Sequence, residues 1–115
     1  MTSPLERLQD QRPAVRRIAI MDLLRDGGDA GLTALLTHLP REQDERAALL
    51  IVRNCAERKH QPARAVLAQL RDSAAAPAAV AHAALLAHDA LEVAARPAPP
   101  PLVIDPDDVE ADEDQ

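Results

Sequence analysis

The residues in this 115-residue chain whose types could do chemistry are four histidines, one cysteine and a row of arginines. His38, His60, His82 and His88 could serve a metal ion or a proton relay. No two of them stand four apart, the spacing that sets two imidazoles on one helix face, so the sequence predicts surface histidines and no metal site. Cys55 falls in register with Leu24 and Leu86 and is therefore expected to be a buried, inert thiol and not a nucleophile. Gly27-Gly28 lacks the Gly-x-x-x-x-Gly-Lys frame that cradles phosphate, and reads as a helix stop. Hydroxyls are scarce (Thr2, Ser3, Thr33, Thr37, Ser73), and no two carboxylates stand out as a catalytic pair. The expectation is a protein with no catalytic centre and no cofactor.

The arginines suggest contact chemistry. Arg16, Arg17, Arg46, Arg53, Arg58 and Lys59 could form a basic strip. A nucleic-acid interface is not expected from it. Residues 1–96 hold all 13 Lys and Arg against 12 Asp and Glu, and the chain has no aromatic residue on which a base could stack. Residues 97–115 add seven acids and no base, which would repel phosphate. The strip instead nominates Arg16, Arg17, Arg46, Arg53 and Asn54 as contacts to another protein.

The elements that must position these residues are helices. Hydrophobic residues make up 47% of the chain, but without Phe, Tyr or Trp the core must be built from Leu, Val, Ile, Met and many Ala. Alanine favours helix, and the β-branched and aromatic enrichment of strands is missing. Ser3-Pro4-Leu5-Glu6 is a capping box opening a short helix over about 4–10. Pro13 starts a second helix that ends at Gly27-Gly28. Asp29 is expected to cap a third, about 30–39, and Asp44 a fourth, about 45–59. Pro62 opens a fifth, about 62–72, and Pro77 a sixth, about 77–95, which Pro97 stops. Leu32, Leu35, Leu36 and Leu39 form one apolar stripe, and Ala63, Val66, Leu67 and Leu70 another. Residues 47–52, AALLIV, are apolar all round and need cover on several sides. In the sixth helix Val80, Ala84, Ala87 and Leu91 should face inward, with His82, Asp89 and Glu92 outward.

These helices repeat. Shifted by 31 residues, Leu5 falls on Leu36 and Leu67, and Leu8 on Leu39 and Leu70. Ile18, Leu49 and Val80 share a column, as do Met21, Val52 and Ala83. The pattern gives three units, about 1–31, 32–62 and 63–93, each a pair of helices that cannot bury its apolar face alone. Two charge columns, Asp10–Arg41–Asp72 and Asp22–Arg53, could bridge neighbouring units.

In the first unit, PAVRRIAIMDLL (residues 13–24) resembles the second-helix signature of the HEAT-repeat family, as found in short bacterial HEAT-like repeats, with Val15-Arg16 as its Val-Arg pair. Units two and three depart from it, with Glu45-Arg46 and Ala79-Val80 where that pair would fall. The resemblance implies an all-α, short solenoid of three antiparallel helix pairs over residues 1–96, with second helices lining a binding face. It implies a protein–protein adaptor, or alternatively an accessory or assembly subunit of a larger enzyme.

Residues 97–115 change character. Pro97, Pro99, Pro100 and Pro101 favour an extended segment, followed by Leu102, Val103 and Ile104 and then Asp105, Asp107, Asp108 and four more acids. This reads as a disordered acidic tail, or as a docking motif for a partner or for the chain's own arginines. The N-terminus has no apolar signal-peptide core, and no run approaches a span of about 20 apolar residues, so a cytoplasmic protein without membrane contact is expected.

Overall fold

The computed structural model describes residues 3–96. All regular elements among them are helical, with no strand: α1 (Pro4–Arg7), α2 (Pro13–Asp26), α3 (Gly28–His38), α4 (Glu45–Glu57), α5 (Arg64–Asp72) and α6 (Ala78–Ala95). Short 3-10 turns, Leu39–Arg41 and Gln61–Ala63, lead out of α3 and into α5. The expected docking motif at Leu102, Val103, Ile104, Asp105, Asp107 and Asp108 lies outside the described residues.

The helix starts follow the local chemistry. Ser3 Oγ accepts from the Glu6 amide at 3.2 Å, and Pro4 and Pro13 occupy first-turn positions where an N–H has no partner to lose. Asp44 Oδ2 accepts from the Ala47 amide at 2.9 Å and caps α4. Three expectations shift. α1 stops after one turn at Arg7. Asp29 is not a cap: Gly27 holds that position, and Asp29 lies in the first turn of α3. Pro62 sits in the 3-10 turn, so α5 begins at Arg64.

The junction of α2 and α3 is built on glycine. Gly28 has φ +57°, the left-handed region that a side chain resists. Gly31 approaches so closely that a Cβ there would lie 2.6 Å from the Leu23 carbonyl oxygen. Because that oxygen belongs to backbone, the helix pair must shift to admit it. Gly31→Ala should therefore lower stability by about 1–3 kcal/mol, read as a lower midpoint in thermal denaturation, although alanine favours an isolated helix.

The core is one continuous cluster of aliphatic side chains. Ile20, Leu32, Leu35, Leu39, Ile51, Val52, Leu67 and Leu91 are fully buried, with Ala19, Ala47, Ala63 and Ala84 between them. α2 packs on α1, α3 and α4, and α4 also packs on α6, which covers α5. The stripe Leu32, Leu35, Leu36 and Leu39 is buried as expected, and so is Val80, Ala84, Ala87 and Leu91. Equivalent positions of the 31-residue shift are not equally buried. Leu36 and Leu67 are buried while Leu5 is 53% exposed, because α1 is too short to be covered along its length. Leu8 and Leu39 are buried and Leu70 half-buried.

α6 corrects one reading. Its 18 residues, with mean hydropathy 1.3, are long and apolar enough to cross a membrane by length and composition. Only 22% of it is buried, through the stripe Val80, Ala84, Ala87 and Leu91 that joins the core.

Candidate functional site

Among the described residues, two places stand out, one for its polar chemistry and one for its unpartnered apolar surface. The first is centred on Glu42, in the connection between α3 and α4. Its side chain is fully buried. Arg16 on α2 donates to it through Nε, at 3.1 Å to both oxygens, and through Nη2 at 3.0 Å to Oε2. His38 Nε2 lies 2.8 Å from Oε1 and the Asp44 amide donates to Oε2 at 2.9 Å. Burial by itself raises the carboxyl's pKa. The Arg16, His38 and Asp44 hydrogen bonds and the Arg16 charge outweigh it and hold the pKa below its ordinary value of 4.5. Arg16 Nη1 also donates to the Asp10 carbonyl at 2.8 Å, tying in the turn after α1. Beside it Arg17 pairs with the α4 cap, Asp44, at 3.1 Å.

Arg16 and Arg17, nominated from the sequence as partner contacts, are thus engaged within the chain. They join α2 to the start of α4. Asn54 is also engaged, donating to the Leu50 carbonyl of its own helix at 2.8 Å. Arg46 and Arg53 are exposed on α4 and make no ion pair among the described residues.

The expected charge ladders do not form. Asp10 is taken by Arg12 at 3.0 Å, which pulls its carboxyl down to about 2, and Asp72 by Arg71 at 2.9 Å. Asp22 pairs with Arg7 and Arg25 and not with Arg53. Arg12, Arg71 and Arg25 stand within three residues of the acids they pair with, and Arg7 reaches Asp22 across the contact of α1 with α2.

Of the four histidines expected at the surface, only His82 is exposed. His38 and His60 are buried, and the His88 side chain is 13% exposed. His38 Nδ1 and His60 Nε2 are buried without a partner among the described residues. His88, Asp89 and Glu92 offer three donor atoms within 4.8 Å of one another, a set that the spacing of the histidines alone does not reveal. Arg64 stands 3.8 Å from Glu92 and competes for its charge. Cys55 is buried as expected, and burial pushes its thiol up to about 11, far from thiolate chemistry at neutral pH.

The second place is a groove of about 510 Å³ between α4 and α6. Leu49, Val52, Ala56, Ala83, Leu86 and Ala87 give it an apolar lining, with Arg53, Glu57 and His82 among them. Leu86 is 56% exposed there. On α2, which packs on the other side of α4, Ile18 and Met21 are 49% and 48% exposed. These two sit in the apolar columns of the 31-residue shift, so the periodicity marked a surface as well as a core. Compared with known proteins, the chain matches no family model, no curated protein and no solved structure.

Proposed function

We propose that this chain is a non-catalytic protein-interaction module, a short HEAT-like solenoid of three helix pairs that docks a partner on the face of α2, α4 and α6. The α4–α6 groove carries this reading. Aliphatic side chains left open in a groove, with cationic groups at hand, are the surface a helix or extended segment with apolar anchors would cover. The sequence of contacts, α2 on α4 and α4 on α6, supports a side-by-side stack of second helices. Arg46 and Arg53 favour a partner segment whose apolar anchors are followed by acids. The buried thiol supports a role without covalent chemistry.

The test is a peptide-display selection against the full chain. Selected peptides should carry an apolar triplet beside acidic residues. Leu86→Glu should weaken them roughly thirtyfold, the loss expected at a central contact. Because Leu86 is exposed, the variant should melt like the parent. Peptides that bind both proteins equally would overturn the reading.

A further inference from the structure

We propose that the α4–α6 groove is the seat of the chain's own residues 102–108, which occupy it when no partner is bound. The inference rests on the groove being a docking face, and commits it to one occupant.

Direction and reach carry the argument. Glu45 and Ala48, near the start of α4, share a cleft with Pro77 and Val80 at the start of α6, so both helices begin at the same end. α6 finishes at Ala95, and Arg96 leaves it with extended backbone, φ −67° and ψ 140°. Going back from Ala95 to Leu86 covers nine residues of helix, about 14 Å. Residues 97–101, four of them proline, span about 16 Å in a polyproline conformation. A chain that reverses after Arg96 therefore brings Leu102, Val103 and Ile104 over Leu86 and Ala83.

Charge follows the same direction. Glu57 lies at the end of the groove where the uncharged prolines would enter. Beyond the apolar triplet, Asp105, Asp107 and Asp108 would run toward Arg53 and then Arg46. Those two arginines are seven residues apart, on one face of α4, and have no ion pair among the described residues. The attachment is intramolecular, so the segment acts at an effective concentration of about millimolar and needs only weak intrinsic affinity.

The experiment compares amide NMR spectra of the full chain with those of a variant carrying Leu102→Ser, Val103→Ser and Ile104→Ser. The amides of Leu49, Arg53, Ala56, Ala83 and Leu86 should shift between the two, independently of protein concentration. Arg53→Glu should produce the same shifts at the other groove positions, and high salt part of them. Unmoved groove amides would overturn the proposal. Shifts that grow with protein concentration would also overturn it, naming the tail of a second copy as the occupant. The serine variant should bind displayed peptides about tenfold more tightly if the segment fills the groove nine-tenths of the time. Peptide binding that depends on Leu86 but ignores the tail would sink this inference alone and leave the docking face standing.

Discussion

Glu42→Ala should destabilise the protein by about 3–5 kcal/mol, because it strands a largely buried guanidinium. Arg16 keeps 13% of its side chain exposed, too little for water to replace the carboxylate. His38 and the Asp44 amide lose an acceptor as well. In a domain of this size each kcal/mol moves the midpoint by about 4–8 °C. A fall of more than 10 °C in a circular-dichroism melt is therefore expected, and a change of a degree or two would refute the assignment. Glu42→Gln keeps the shape and removes the charge, so it isolates the acid response. The folded carboxyl titrates below its unfolded value of 4.5. Its contribution is thus complete above that pH and is lost as pH falls through the folded value. The stability gap between the parent and Glu42→Gln should be constant above pH 4.5 and close below it.

Ile51→Ala should cost about 2–5 kcal/mol, through lost transfer free energy and the cavity left behind. Ile51 is fully buried on α4, the helix packed between α2 and α6. Its core neighbours are short aliphatic side chains, with no aromatic ring to swing into the gap. Urea titration should show a lower midpoint with an unchanged slope, since the surface exposed on unfolding is nearly the same. Leu85→Ala, at a position 37% exposed, should change stability by only about 0.5 kcal/mol and serves as the control.

Much of the helical layout was legible because its signals are local. Pro13, Asp44 and Gly27 mark their helix ends through bonds and dihedrals spanning a few residues. The inward stripe of α6 follows from the 3.6-residue period alone. The Glu42 cluster was not legible. Arg16 and Glu42 are 26 residues apart, outside the 31-residue register that organises the apolar columns, and Glu42 stands in a polar stretch that reads as an ordinary turn. Only the four-residue spacing of His38 and Glu42 hinted at it. The groove was half visible. Columns such as Leu24–Cys55–Leu86 look uniformly apolar, yet Leu24 and Cys55 are buried and Leu86 is open, because no helix among the described residues covers that side of α6. Hydropathy cannot separate a side chain facing the core from one awaiting a partner.

The two seams of this helical row are made of different materials. Between α2 and the start of α4, ionic bonds from Arg16 and Arg17 supplement the apolar packing. Between the segments 28–57 and 64–95, no ion pair among the described residues crosses, and the seam is aliphatic. Acid below pH 4.5, where the Glu42 carboxylate begins to be lost, should therefore fray the chain from its N-terminal end, with amide hydrogens of α2 exchanging well before those of α6. Unfolding by this route has a polarity, and any partner that lies across both seams would erase it.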